Sequence, residues 1–332
     1  MAKLQLSLAC GDYEIMRPLV DGTVQPDGIE LTVLTKDRAR ILQTSRRKEC
    51  DLAEFNITRY FSDSESDADL FALPVFPHRR FRLAFIFVNT AAGIKEPRDL
   101  IGRSLVIRGE RPAAAIWLRG MLNEHFGVPY DRLKIVDPLG ILGEVPSSGV
   151  AGVGPDGWQA RSEQMLLDGE VDALISAGVP SSFINGDPRI GRLFPDFNDR
   201  DIAYYHETKI FPIMHAVTIQ RSLIERAPWA PINLLRAPIN LLRAFSEAKA
   251  IAYNRAVNPR TAPISFFQKA WEDQQAILGP DPWVYGMNDA NRHNLDTILR
   301  YCAEQGMVST TRSLDDLFVN LDEAKLSRFA GH

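Results

Sequence analysis

The chain has 332 residues, is 45% hydrophobic and 24% charged, and carries a formal net charge of −4. That is enough apolar material for two cored domains. The lack of net basicity and of any Lys/Arg-rich block argues against nucleic acid as a partner. No apolar run approaches the roughly 20 residues a membrane helix needs. The first ten residues are too short and polar for a signal-peptide core, so a cytoplasmic protein without a membrane partner is expected. Cys10, Cys50 and Cys302 show no CxxC or zinc spacing and read as free thiols.

Residues 4–9 alternate apolar and polar and predict a strand. Asp12 is the expected N-cap of a short helix over residues 13–20. Residues 29–34 predict a second strand with Ile29, Leu31 and Val33 on one face. Residues 37–50 predict an amphipathic helix, and residues 51–57 a third strand, its end marked by Glu54, Asn56 and Thr58. This alternation predicts a parallel sheet with right-handed crossovers. Ligands meet such sheets beyond the carboxyl ends of the strands, which brings Gly11, Asp12 and Tyr13 toward Glu54, Asn56 and Thr58.

Residues 70–75 and 83–88 predict strands on either side of Phe76-Pro77-His78-Arg79-Arg80-Phe81-Arg82. Three arginines and a histidine in seven residues are costly to bury without anionic partners. The guanidinium fork suits a carboxylate. Two readings stand: a carboxylate site at a strand end, or a solvated edge strand with Arg80 and Arg82 outward. Alternation puts Arg80 and Arg82 on one face and Arg79 on the other, unless the strand breaks at Pro77.

An inserted α/β domain is expected over residues 93–204, within a first domain of residues 1–92 and 205–332. Its predicted elements are a strand at 104–107, a helix at 113–126 ended by Gly127, a strand at 134–136, a helix at 159–168 and a strand at 171–176. The Gly- and Pro-rich stretch 138–157 predicts a long loop, and it matches neither GxGxxG nor a Walker sequence. Tyr204-Tyr205-His206-Glu207 reads as strand. Residues 222–227, 240–254, 263–278 and 289–305 predict helices. Ala230-Pro231-Ile232-Asn233-Leu234-Leu235-Arg236 is repeated over residues 237–243, where Pro231 and Pro238 predict a broken helix or bulged loop.

His78 and His215 each follow a proline-containing strand segment and are the leading acid–base candidates. Glu54 ends an apolar strand. A dry carboxylate there has a raised pKa and can take a proton or bind a cation, with a salt bridge to an arginine as the alternative. Arg79, Arg80, Arg82, Arg108 and Arg111 are clamp candidates. Asp12, Tyr13 and Asn56 complete the substrate-binding set. No HxH or HxxxH spacing supports a metal centre. Catalysis without cofactor is therefore expected, with a divalent metal left open.

The architecture resembles the type 2 periplasmic-binding-protein fold, with two α/β domains, a ligand cleft between them and a helical C-terminal region. Asp99-Leu100-Ile101-Gly102-Arg103-Ser104-Leu105 is similar to that fold's passage into its second domain. Asp168-Gly169-Glu170-Val171-Asp172-Ala173 is similar to its turn between a late helix and strand. More closely, four stretches resemble the 4,5-dihydroxyphthalate decarboxylase family: Ala9-Cys10-Gly11-Asp12-Tyr13-Glu14, Asp51-Leu52-Ala53-Glu54-Phe55-Asn56, Pro74-Val75-Phe76-Pro77-His78-Arg79-Arg80-Phe81-Arg82 and Pro212-Ile213-Met214-His215. The likeness runs over residues 3–325, and the 230–243 duplication departs from it. The resemblance implies a lyase of bacterial phthalate breakdown that turns a small aromatic dicarboxylate into protocatechuate and CO2. A non-catalytic binding protein for a small aromatic anion is the alternative, and a homo-oligomer is left open.

Overall fold

A computed structural model describes residues 3–35, 49–66, 69–107, 113–136, 155–176, 178–220, 231–258, 260, 264–309 and 312–319. The expected helix at 222–227, Arg108, Arg111, the expected 37–50 helix as far as residue 48 and the expected 138–157 loop as far as residue 154 lie outside these residues; 49–50 are not helical, and 155–157 open a helix.

In chain order the described residues form β1 (Leu4–Cys10), α1 (Arg17–Val20), β2 (Ile29–Thr35), β3 (Leu52–Asn56), α2 (Ile57–Asp63), β4 (Leu70–Arg79) and β5 (Ile86–Asn89). Next come β6 (Ser104–Ile107), α3 (Ala113–Phe126), β7 (Lys134–Val136), α4 (Pro155–Leu167), β8 (Ala173–Ile175), α5 (Ser181–Ile184) and β9 (Ile190–Arg192). The remainder is α6 (Phe197–Thr208), β10 (Ile213–Gln220), α7 (Pro231–Ala256), α8 (Phe267–Leu278), α9 (Asp289–Glu304) and α10 (Leu314–Leu317).

They fall into two compact units, one from residues 1–79, 213–296 and 311–332, the other from residues 80–212 and 297–310. The sequence suggested crossings at 92 and 204. The pairing of β5 with β8 and β9 puts it in the second sheet, and α6 packs on the Leu83–Phe85 turn. The crossings therefore fall at 79/80 and 212/213, and residues 297–310, expected in the first domain, belong to the second unit.

The first unit carries a five-stranded sheet in the order β2-β1-β3-β10-β4. β1 runs parallel to β2 and β3, as the alternation of elements predicts, and the returning β10 is antiparallel to β3 and β4. Leu8, Ala9, Leu52, Phe55, Ala216 and Val217 are buried along its middle strands. The β4–β10 ladder is irregular on both sides of His215, the partners on β4 passing from Arg79 to His78 and then to Leu73. Pro74 and Pro77 lie in the segment skipped. Neither has an N–H for the ladder, so the strand bulges there.

α7 runs unbroken through the duplicated segment from Pro231 to Ala256, contrary to the expected break. Pro231 is the first helical residue, where a missing N–H costs nothing. Beyond it Leu241, Ala244, Phe245, Ala248 and Ala252 form a buried stripe at helical spacing. Burying Leu241 and Phe245 contributes about 1.5–3 kcal/mol each, enough to offset the roughly 3 kcal/mol of an interior proline. The stripe packs on the Glu14–Met16 turn, α1 and β4.

The second unit has its own sheet, in the order β7-β6-β8-β5-β9. Phe87, Val106, Trp158, Leu166, Val171 and Leu174 form its core. Three local expectations change here. The chain leaves the strand after Arg79, so Arg80 and Arg82 do not share a strand face. The expected 83–88 strand is a turn over Leu83–Phe85 followed by β5. Tyr204 to Glu207 belong to helix α6, so His206 and Glu207 are helical neighbours. No helix among the described residues is long and apolar enough to cross a membrane.

Candidate active site

The site is built at the carboxyl ends of β1 and β3, where β10 crosses beside them. On β10, His215 stands opposite Asn56 and Val217 opposite Glu54. Residues opposite one another in a ladder share a face, and diagonal neighbours are within side-chain reach. The period of two therefore puts Glu54 and His215 on one face, one step apart.

Glu54 is 3% exposed and His215 8% exposed. Three donors converge on the Glu54 carboxylate. The Gly11 N–H reaches Oε2 at 2.8 Å, the Tyr13 O–H reaches Oε1 at 2.7 Å, and His215 Nδ1 also meets Oε1. Burial by itself pushes the Glu54 carboxyl up, as the sequence suggests. The charge and hydrogen bond of His215, with the bonds from Tyr13 and Gly11, outweigh it and hold Glu54 below the ordinary carboxylate range. An ionised carboxylate only accepts, so His215 Nδ1 carries a proton and donates. The other ring nitrogen, Nε2, is left for chemistry, the arrangement by which a buried carboxylate orients a catalytic imidazole.

Gly11 makes this local geometry fit. A Cβ at that position would sit 2.7 Å from Tyr13 Cζ. Only a glycine lets the Tyr13 ring fold back over residue 11 and reach Glu54. His78, brought in by the β4 bulge, has its ring centroid 4.9 Å from that of His215, edge to face. Tyr13 stacks on His78 at 5.9 Å. His78 and Tyr13 are half-buried and form the rim above the buried Glu54–His215 pair.

Several candidates have other partners. Asn56 caps α2, accepting from the Arg59 N–H at 3.3 Å and the Thr58 hydroxyl at 2.8 Å. Asp12 does not cap the first helical turn, whose N-cap is Tyr13 with no side-chain bond. It pairs instead with Arg17 at 3.0 Å. Arg79 is buried and donates to Val284 O at 3.0 Å and to Asn291 Oδ1. Arg80 and Arg82 belong to the second unit, with guanidinium carbons 4.5 and 5.6 Å from the Phe85 ring centroid. Cys10 is buried, and burial with the Glu54 and Asp12 charges pushes its thiol up to about 12, which leaves it un-ionised. Among the described residues no three His, Cys, Asp or Glu side chains cluster to hold a metal ion.

Two groupings escaped the sequence. Lys249 is buried, with Nζ bonded to Asp281 and Trp283 O and set 4.3 Å from the Tyr285 ring centroid. Burial lowers its pKa, against the opposing pull of Asp281. This grouping fixes the 281–286 stretch, whose Gly286 N–H donates to Pro74 O in the β4 bulge at 2.8 Å. In the second unit Arg192 is surrounded by phenylalanine rings. Neither grouping has a local sequence signal, because its members are far apart in the chain.

No protein-family model matches the chain. A curated relative, the 4,5-dihydroxyphthalate decarboxylase of Comamonas testosteroni, is 31% identical over 330 residues, covering 96% of this chain and 97% of the relative. The chain belongs to the 4,5-dihydroxyphthalate decarboxylase family. Its family is one of lyases. The Pseudomonas putida protein of the same name is 31% identical over 206 residues, 59% of this chain and 79% of that one. Among solved structures, the periplasmic aliphatic sulphonate binding protein of Escherichia coli superposes with a TM-score of 0.54 at 14% identity, covering 96% of this chain and 97% of that one. This member of the decarboxylase family thus has the periplasmic-binding-protein fold with two α/β units.

Proposed function

We propose that the protein converts 4,5-dihydroxyphthalate to protocatechuate and CO2 in bacterial phthalate breakdown. The observation that carries the reading is the buried Glu54 carboxylate bound to His215 beside His78, in a chain of this family.

Each carboxylate of the substrate has a hydroxyl para to it. Drawing the proton from that phenol pushes electrons through the ring to the carbon that bears the carboxylate. His215 delivers a proton to this carbon from Nε2, and a C–H bond forms. The C–C bond to the carboxylate then breaks, its electron pair returns to the ring, and CO2 departs. Glu54 orients His215 through Nδ1, and His78, stacked on Tyr13, accepts the phenolic proton and returns it to the oxygen once CO2 has left. General acid–base catalysis of this kind contributes about 10²- to 10⁴-fold. An arginine holds the carboxylate that stays.

The test is to mix the purified protein with 4,5-dihydroxyphthalate, before and after exhaustive chelation, and to follow protocatechuate by absorbance. Product in both samples supports the scheme. Product only before chelation would move Glu54, His78 and His215 from proton transfer to metal ligation. Saturable binding with no product would replace the decarboxylase reading by a binding protein for an aromatic anion.

A further inference from the structure

In the second sheet β6 runs parallel to β7 and β8, while β5 is antiparallel to both β8 and β9. β9 therefore points the same way as β6 and β8. Ile107, at the end of β6, is level with Ile175 at the end of β8, and Ile175 with Ile86. Arg192 is the last residue of β9 and stands opposite Phe87, next to Ile86. It lies at the edge of this sheet formed by the carboxyl ends of the parallel strands, where α/β sheets of this type meet ligands.

The Arg192 guanidinium has three aromatic neighbours. Its carbon lies 4.7 Å from the Phe183 ring centroid, 4.9 Å from that of Phe197 and 5.8 Å from that of Phe87. Phe87 and Arg192 share a face of the sheet because they are directly opposed. Phe183 on α5 closes on the same spot, its ring 5.2 Å from that of Phe87. The Nε–H donates to Ala84 O at 3.1 Å. That bond fixes the plane of the group and leaves both terminal nitrogens without a partner among the described residues. No carboxylate there lies within ion-pair distance of it.

Arg192 is half-buried, so the residue keeps some contact with solvent. Phenylalanine faces attract a guanidinium but supply no hydrogen-bond acceptor. The group that completes this site is planar and anionic, can take both N–H groups at once and has apolar flanks to lie against the rings. We propose that Arg192 anchors the carboxylate of an aromatic acid in the second unit. The proposal rests on the decarboxylase reading for the choice of acid.

The test uses the full chain, wild type and the variants Arg192→Gln and Arg192→Lys. Phthalate is titrated calorimetrically, since without phenols it cannot follow the phenol-driven route, and catechol serves as a probe without carboxylate. Turnover of 4,5-dihydroxyphthalate and the thermal midpoint are measured in parallel. Loss of a charge-assisted pair weakens phthalate binding by roughly 10- to 150-fold in Arg192→Gln, with KM raised and catechol binding unchanged. Arg192→Lys, which keeps the charge and the ring contacts but lacks the fork, is expected to lie between. Should Arg192→Gln fail to fold, Arg192→Lys at an unchanged thermal midpoint decides. Phthalate affinity within about twofold of wild type in a folded variant overturns the anchor, as does a wild-type chain that does not bind phthalate. Arg192-dependent phthalate binding with no protocatechuate from 4,5-dihydroxyphthalate keeps the anchor and removes the decarboxylase reading. Turnover with an unchanged KM in Arg192→Gln does the reverse.

Discussion

Replacing Glu54 by glutamine is the sharpest perturbation of the proposed chemistry. The carboxylate accepts from Tyr13 and His215 on Oε1 and from Gly11 on Oε2. Glutamine has one acceptor oxygen. If that oxygen takes the Oε1 place, the new NH2 group faces the Gly11 N–H, donor against donor. A buried donor left unsatisfied costs about 1–3 kcal/mol. The hydrogen bond from His215 also loses its charged acceptor, and a hydrogen bond to a charged group contributes about 1.5–3 kcal/mol. The expected loss of stability at neutral pH is thus a few kcal/mol. The expected fall in kcat is about 10²- to 10⁴-fold, the usual share of acid–base catalysis, with KM little changed.

The pH dependence gives an independent readout. Glu54 sits below its ordinary value in the folded chain, so its stabilising contribution is fully present above the unfolded carboxylate value. It is lost as pH falls through the lower, folded one. Wild type should lose this contribution on acidification, whereas Glu54→Gln should not. The assays are steady-state kinetics across pH and urea unfolding at neutral and acidic pH. A folded Glu54→Gln protein with kcat within about threefold of wild type and the same pH profile would refute the role given to the Glu54–His215 pair.

Asp201 tests electrostatics away from the site. Burial pushes its carboxyl up to about 7, against one backbone bond from Leu83, and its Oδ1 has no partner among the described residues. The folded chain then holds a proton that the unfolded chain has released, so stability falls as pH rises from about 4 to 7, by up to roughly 4 kcal/mol. Asp201→Asn should be more stable than wild type at pH 8 and level with it near pH 4 by urea unfolding, and an equal gap at both would contradict this. Gly11→Ala should push the Tyr13 ring off Glu54, at a cost of about 1.5–3 kcal/mol for the lost bond to a charged group plus any strain. Because Tyr13→Phe removes the same bond, a double-mutant cycle between the two should be non-additive, and strict additivity would show that residue 11 does not act through Tyr13.

The local elements of β1, β2, β3, α3 and α9 were legible because hydrophobic period, caps and glycine stops act over a few residues. The parallel opening of the first sheet followed from the alternation of elements. Glu54, His78 and His215 were legible as residue types that are costly to bury. What the sequence could not settle was the sign of the Glu54 shift. Burial alone raises it, and only the convergence of Gly11, Tyr13 and His215 from three places in the chain lowers it. The arginines show the same limit. Arg79, Arg80 and Arg82 are close in sequence, yet the chain passes from one unit to the other after Arg79, which bonds to Val284 and Asn291 of the first unit while Arg80 and Arg82 lie over Phe85 of the second. Arg192 has no motif at all, for its phenylalanines come from β5, α5 and α6. Short-range propensity fixes elements. The charge state and the partners of a buried group depend on what long-range packing sets beside it, and those terms of several kcal/mol do not exist until the sheets are formed.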